Sequence, residues 1–522
     1  MFDRESLIRQ LETTGEWDII IIGGGATGLG TALDAATRGY KTLLLESVDF
    51  AKGTSSRSTK LVHGGVRYLA QGQVDLVREA LYERGLLMRN AAHLVSKQSF
   101  IIPSYSLWNN WFYTIGLKVY DLLSGKLSFG KSTRVSKSDT MSRLTTLKSE
   151  NLKGGVLYYD GQFDDSRLAV NMAQTCIEQG ATVVNHCKVT HLVKDSYGQV
   201  TGVNAIDTES DTIYSLKAKV VVNATGVFAD TILQMDDPSA RKSIRPSQGI
   251  HLVFDRAILP GNDAIMIPKT DDGRVLFLVP WHGRVIAGTT DTVLDTPSYE
   301  PKPLDEEVDF ILKTANQYLL TSVTKDDVLS VYSGLRPLAA PKKDSKKTKE
   351  ISRSHKILVS KSGLVSITGG KWTTYRKMAK DAIDKIIAKK MLPKADCGTR
   401  DLLIHGATTG AVDRTTHLYI YGSDQEAIAK LIQDDQSLGD RVHPRLEFTK
   451  AEVVFAIRNE MARTIEDVLA RRVRLLFLDA QAAIDAAPLV GTLLQVELGK
   501  SDEWMEQQVA DFNAIAQHYL LK

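Results

Sequence analysis

Residues 17–46 read WDIIIIGGGATGLGTALDAATRGYKTLLLE. The first six are mostly apolar and rich in β-branched residues, the pattern of a parallel strand buried on both faces. Gly23, Gly25 and Gly28 follow at once in G-x-G-x-x-G spacing, and residues 26–38 continue with Leu29, Leu33 and Ala36 at helical intervals until Gly39 breaks the pattern. Glycines in such a turn let backbone amides approach a pyrophosphate, and the helix N-terminus adds partial positive charge. A second apolar run, 41–46, ends in Glu46 about 20 residues on, where an acceptor for a ribose hydroxyl belongs. This order predicts an α/β dinucleotide-binding unit. NAD and FAD present the same adenosine diphosphate to it, so the unit alone leaves the cofactor open.

The whole chain has 522 residues, room for about three domains at ~150 residues each. Hydrophobic residues make up 43% and charged ones 24%, which supports a sizeable core and excludes disordered or collagen-like classes. The net charge of +3 is too small for bulk charge to indicate nucleic acid, and no nucleic-acid partner is expected. Cys176, Cys187 and Cys397 show no C-x-x-C spacing, so neither a disulfide framework nor a metal site is expected, and a reducing compartment fits. Residues 1–16 lack the apolar core of a secretory signal and read as a short amphipathic helix. No run approaches the ~18 apolar residues of a membrane span, so any membrane contact is peripheral.

Beyond Glu46 comes GTSSRST (53–59), then Lys60, Leu61, Val62 and His63-Gly64-Gly65, a stretch whose hydroxyls and amides can follow an extended cofactor. The run SSRSTKLVHGGVRYL (55–69), with VVVNATGVFAD (220–230), SGLRPL (333–338), ITGGKWTTYRKMA (367–379) and DVLARRVRLLFLDA (467–480), resembles the FAD-dependent glycerol-3-phosphate dehydrogenases over nearly the whole chain. That resemblance implies an α/β fold with a glutathione-reductase-like FAD-binding domain, a β-rich substrate cap and a helical C-terminal domain. It implies FAD, held noncovalently since no tethering motif is evident, by Gly23, Gly25, Gly28, Glu46, Thr54, Ser55, Ser58, His63, Gly64, Ala224, Gly226, Gly370 and Thr373. Residues 1–16 and Trp372, where some relatives carry a smaller residue, are the departures.

The sequence divides accordingly. Residues 1–100 form the first part of the FAD-binding domain and 101–240 its continuation with a helical insertion. Trp108, Trp111, Phe112 and Tyr113 in that insertion read as helix core rather than lipid contact. Residues 241–366 hold short strand patterns (IHLVFD, RVLFLVPW, GRVIAGTTDT) and form the cap; 367–394 form a cofactor-contacting loop and an amphipathic helix; 395–522 are helical.

Oxidising a secondary alcohol on flavin requires a hydride acceptor, a group that takes the hydroxyl proton and cations for an anionic substrate. His251 alternates out of phase with Ile250, Leu252 and Phe254, so it points away from an apolar face. Arg67, Arg336, Arg353 and Lys371 sit beside glycines or in short loops and suit a phosphate. Through the resemblance these residues and Tyr68 become substrate contacts, with Arg336 close to the reacting hydroxyl; either His251 or Arg336 could assist proton removal, and the high pKa of an arginine favours His251 as base and Arg336 as stabiliser of the developing alkoxide.

The implied reaction is oxidation of sn-glycerol 3-phosphate to dihydroxyacetone phosphate by hydride transfer to flavin N5, with electrons passed to a membrane quinone. The alternative is an oxidase that passes them to oxygen and forms hydrogen peroxide; its relatives tend to carry a longer cap insertion than the short stretch between Arg336 and Arg353. A quinone acceptor demands lipid contact. Residues 373–390 gather Tyr375, Met378, Ala379, Ala382, Ile383, Ile386 and Ile387 on one arc bordered by lysines, which fits a helix in an anionic interface and equally one packed on the core; the quinone tips the expectation to lipid. The lysine-rich KKDSKKTK (342–349) reads as a solvated loop. The chain is expected in the cytoplasm, peripheral on the inner face of the plasma membrane, with a homodimer left open.

Overall fold

The computed structural model describes residues 2–69, 72–270, 273–339 and 355–521, apart from the side chains of Arg67, Leu107, Asn109 and Lys126. Trp17–Ile22 forms the centre of a parallel sheet, with Ile213–Asn223 on one side and Thr42–Leu45 on the other. Its isoleucines are fully or nearly fully buried because helices cover both faces. The order runs Lys356–Val359, Val365–Thr368, Ile213–Asn223, Trp17–Ile22, Thr42–Leu45, Thr182–Val184, and the hairpin Cys187–Lys194/Val200–Asp207 is attached to Ile213–Asn223. The expected N-terminal helix spans Arg4–Thr13 and is tied to the hairpin by the Arg4–Asp207 ion pair at 2.7 Å.

Helix Ala26–Thr37 packs on this sheet beside Asp165–Glu178 and Tyr375–Ala388. Gly30 permits the crossing, since a Cβ there would lie 2.8 Å from the Tyr375 ring. The apolar arc of Tyr375–Ala388 is therefore taken up by the core: Tyr375, Met378, Ala379, Ala382, Ile383 and Ile386 are all buried. This corrects the expectation that residues 373–390 meet the membrane.

The reverse correction applies to helix Leu107–Ser124. Leu117 and Tyr120 face inward, but Trp108 is 78% exposed and Leu122 79%, with Trp111, Phe112, Ile115 and Val119 exposed on the same face. The aromatic stretch expected in the core faces outward.

The second sheet is drawn from both sides of residue 240 rather than from 241–366 alone. Its order is Thr292–Val293, Ile244–Asp255, Arg284–Gly288, Leu276–Trp281, Ala264–Ile267, Val95–Ser104, Gly154–Phe163, Leu61–Val62; Val328–Ala339 pairs with Ile244–Asp255, and Thr133–Val135 with Gly154–Phe163. Strands Lys356–Val359 and Val365–Thr368, expected at the end of the cap, lie in the first sheet instead.

The C-terminal helices Lys450–Asn459, Ala480–Leu498 and Asp502–Ala516 share one apolar cluster with Val253, Trp281, Ile286 and Tyr332 of the second sheet. A π-helical turn, Asp467–Arg472, turns Arg471 and Arg472 inward onto Asp49, at 2.5 and 2.7 Å. Buried charges need such partners, because removing one leaves an uncompensated ion. The C-terminal region is thus locked to the dinucleotide unit just beyond Glu46. Cys176, Cys187 and Cys397 are free thiols.

Candidate active site

The glycine turn is held from behind. Gly23 has φ +109°, open to glycine, and a Cβ there would lie 2.8 Å from the Ala224 carbonyl oxygen. At Gly28 a Cβ would come within 1.8 Å of the Gly23 carbonyl oxygen, so this glycine sets how closely helix Ala26–Thr37 approaches the turn. Glu46 is buried, accepting the Gly24 N–H at 2.6 Å on one oxygen and the Val48 N–H at 3.0 Å on the other. Burial raises its pKa and those amides oppose the rise. Ser55 Oγ accepts the Ala26 N–H at 3.0 Å, joining the 53–59 run to the helix N-terminus. Gly23, Glu46 and Ser55 border a chamber of about 380 Å³, lined also by Gly25, Thr54, Ala224, Gly226 and Gly370.

Thr54, Pro337, Gly370, Lys371 and Trp372 also line a second chamber of about 260 Å³, so the two form one continuous cleft between the sheets. The second chamber holds His63, Tyr68, His251, Arg336, Lys371, Ser58 and Thr373. His63 donates its N–H to Thr373 Oγ1 at 3.3 Å. The Lys371 ammonium lies 3.8 Å from the centre of the Tyr68 ring. Arg336 donates to the Gln248 carbonyl at 3.3 Å and to Thr289 Oγ1 at 3.1 Å, with Asp291 at 3.6 Å.

His251 lies in the central strand of three, opposite Gly288 on one side and Tyr332 on the other. Burial, with the nearby positive charges of Lys60 and Arg336, holds its pKa well below the ordinary value, so the imidazole is neutral. A neutral imidazole among cations can take a proton and can support an alkoxide in formation.

Most of the residues expected from the sequence converge here. Gly28 and Gly64 line neither chamber: Gly28 packs on the Gly23 carbonyl oxygen, and the Gly64 N–H goes to the Tyr120 hydroxyl at 2.8 Å, where a Cβ would strike Leu81 and Tyr120. The Arg67 side chain, Arg353 and KKDSKKTK lie outside the described residues.

Sequence reasoning missed Lys60 and Tyr332. Lys60 is fully buried 2.8 Å from Asp165, within 5.1 to 5.4 Å of the ring centres of Trp281, Tyr332 and Phe477. Burial pulls its pKa down to about 7, against the attraction of Asp165. Lys60 directly follows the hydroxyl run, but its partner lies more than a hundred positions away. Among the described residues no group of His, Cys, Asp and Glu is arranged to hold a metal.

Residues 18–376 match the family model described as FAD dependent oxidoreductase, and 364–505 match the C-terminal domain of alpha-glycerophosphate oxidase. The probable mitochondrial glycerol-3-phosphate dehydrogenase of Caenorhabditis elegans is 41% identical, covering 97% of this chain and 74% of that protein. The chain belongs to the FAD-dependent glycerol-3-phosphate dehydrogenase family. The mitochondrial glycerol-3-phosphate dehydrogenase of Schizosaccharomyces pombe is 37% identical over 98% of this chain and 89% of its own. A glycerol-3-phosphate dehydrogenase from Bacillus halodurans, solved with FAD, superposes with a TM-score of 0.81 at 29% identity, covering 100% of this chain and 99% of that one.

The cleft fits the cofactor of the family on its own geometry. A Cβ at Gly23 or Gly28 would strike backbone and force the turn open, the N-terminal end of helix Ala26–Thr37 beside Ser55 suits a pyrophosphate, and Glu46 keeps lone pairs for a ribose after serving the turn. Gly23, Gly25, Ser55, Ala224 and Gly226 could hold the adenosine diphosphate, and Thr54, Gly370 and Thr373 the ring end.

Proposed function

We propose that this chain oxidises sn-glycerol 3-phosphate to dihydroxyacetone phosphate and passes the electrons to a membrane quinone. The reading is carried by one observation: a neutral buried His251 and the cations Arg336 and Lys371 share a chamber continuous with the dinucleotide turn. When bound, FAD supplies the hydride acceptor. His251 takes the proton of the secondary hydroxyl. Arg336, fixed by Gln248 and Thr289, stabilises negative charge growing on that oxygen. Lys371, with Tyr68 beneath it, holds the phosphate, joined by Arg67 and Arg353.

The acceptor reading draws support from the exposed stripe on helix Leu107–Ser124. Trp108, Trp111, Phe112, Ile115, Val119 and Leu122 follow helical spacing on one face, with exposed Lys118, Lys131 and Arg134 nearby; the Arg134 guanidinium lies 4.4 Å from the Trp111 ring. Tryptophans beside cations suit the headgroup level of an anionic bilayer. Among the described residues no helix is long and apolar enough to cross a membrane, and the proposed contact is a peripheral one, on the inner face of the plasma membrane.

The test is anaerobic titration of the FAD-loaded protein with sn-glycerol 3-phosphate, followed by a ubiquinone analogue or oxygen. Bleaching of the flavin band, reversed faster by quinone than by oxygen, is expected. Rapid recovery in oxygen with peroxide would make the protein an oxidase, and no bleaching would remove the substrate assignment.

A further inference from the structure

Thr59 and His251 line the same chamber, with the Thr59 hydroxyl on the Nε2 edge of the imidazole. The imidazole is wedged between the Tyr332 ring, stacked at 4.7 Å, and Gly288, where a Cβ would lie 2.3 Å from Cδ2. Among the described residues the Nε2 edge alone has a polar partner: Thr59 Oγ1 at 2.8 Å. Nδ1 is buried with no hydrogen-bond partner among the described residues. Leaving a buried polar atom unmade costs about 1–3 kcal/mol, which calls for a reason.

The backbone around Thr59 is anchored on both sides. Ser58 on one side donates its N–H and Oγ–H to Asp165, at 3.1 and 2.7 Å; Lys60 on the other sends its ammonium to the same carboxylate. Lys60 adopts φ +61°, a left-handed conformation that costs a non-glycine residue about 1 kcal/mol or more. Between these two anchored neighbours Thr59 is half-buried. It lines the chamber of Arg336 and Lys371 and also an adjoining cavity of about 210 Å³ that Arg336, Thr289 and Asp291 share.

The hydrogen bond has a consequence for base chemistry. With its proton on Nε2, His251 would donate to Thr59 and present no lone pair toward the cleft. Action as a base requires the proton on Nδ1, and then Nε2 accepts from the Thr59 hydroxyl, whose oxygen lone pairs are left for the cleft. The oxygen of Thr59, not the imidazole, then meets an incoming hydroxyl.

We propose that Thr59 is a catalytic relay: the substrate hydroxyl gives its proton to Thr59 Oγ1 as the proton of Thr59 passes to His251 Nε2. The inference rests on the reading of His251 as base. The substrate O–H bond breaks, the O–H bond of Thr59 is exchanged and an N–H bond forms on His251. The C–H electron pair leaves with its hydrogen as hydride to FAD, and the carbon–oxygen double bond forms. Arg336, donating to Thr289 on the same wall, faces the oxygen whose proton departs.

Thr59→Val keeps the shape and deletes the relay; Thr59→Ser keeps a hydroxyl; Thr59→Ala serves if the valine variant does not fold. The measurements on FAD-loaded protein are the rate of flavin bleaching by sn-glycerol 3-phosphate in rapid mixing, the substrate concentration giving half the limiting rate, and FAD content. Expected is a loss of about 10²–10⁴-fold in the limiting rate for valine and alanine. The half-saturating concentration and FAD content stay within a few-fold of the parent, and serine restores most of the rate. Valine at the parental rate while His251→Asn is slow would show that the histidine works without the relay. Serine as slow as valine would show that shape rather than the hydroxyl matters. Either overturns the proposal. His251→Asn at the parental rate would instead remove the base reading, and the relay with it.

Discussion

Tyr332 lies directly across the strand pair from His251, its ring stacked on the imidazole with 17° between the planes. The far surroundings of Tyr332 belong to the C-terminal region: Phe477 sits 4.9 Å away, and the tyrosine hydroxyl donates to the Ser58 carbonyl at 3.0 Å. One residue thus ties the proposed base, the cofactor-following run and the helical domain together. Tyr332→Phe is expected to cost about 1 kcal/mol for the lost hydrogen bond and to leave turnover within a few-fold. Tyr332→Ala opens a buried cavity worth about 3–5 kcal/mol and frees the imidazole to turn, so thermal unfolding and kcat fall together while the half-saturating substrate concentration moves little. Equal turnover in both variants would separate the stack from catalysis.

Gly28→Ala tests the dinucleotide cradle apart from the chemistry. The added methyl would meet the Gly23 carbonyl oxygen at 1.8 Å, a backbone atom with no room to withdraw. The turn must open, so flavin content after purification is expected to fall to a small fraction of the parent. Gly180→Ala serves as the control: it has positive φ but nothing within 4 Å to strike, so it strains the backbone locally and leaves flavin content unchanged.

The local part of this architecture was legible in the residues. Residues 17–46 announce strand, turn, helix and strand because each signal is short in range, and the alternation around His251 indicates its facing. What the sequence concealed depends on partners far along the chain. The arc of Tyr375–Ala388 and the stripe of Leu107–Ser124 have the same helical period. The seating of Tyr375 against Gly30 and the burial of its arc show that the first packs on the core, and the exposure of Trp108 shows that the second is not covered by the described residues. Lys60 with Asp165, Asp49 with Arg471 and His251 with Tyr332 are likewise pairings set by strand register and domain docking, which no local pattern encodes.

His405 joins the C-terminal region to helix Asp165–Glu178, with Glu178 at 2.6 Å on one ring nitrogen and Asp424 at 2.8 Å on the other. Burial alone would depress its pKa, but the two carboxylates outweigh burial and push it up to about 9. The folded state therefore binds this proton more tightly than the unfolded chain, whose value is near 6.5. The stabilisation is complete below about pH 6.5, declines from there to about pH 9 and is absent above. The difference in Tm between the parent and His405→Gln is expected to shrink steadily across that window. A difference independent of pH would show that His405 is not held charged.

The exposed face of helix Leu107–Ser124 makes the last prediction, and it separates lipid binding from flavin chemistry. Trp108, Trp111 and Phe112 each leave most or about half of their surface in water, although contiguous apolar patches of this kind are rare on proteins that meet only solvent. Burying each in an interface is worth roughly 1.5–3 kcal/mol, so replacing all three with serine is expected to weaken vesicle binding by well over 10²-fold. The parent should sediment with anionic vesicles and be partly released by salt, because Lys118 and Arg134 add screened attraction at about 1 kcal/mol each. The triple variant should stay in solution and still bleach with sn-glycerol 3-phosphate at the parental rate. It should reduce a water-soluble quinone analogue normally while losing turnover with a long-chain quinone held in the vesicles. Unaltered sedimentation would show that this face docks elsewhere. Lost bleaching would show that it supports the cleft rather than the membrane.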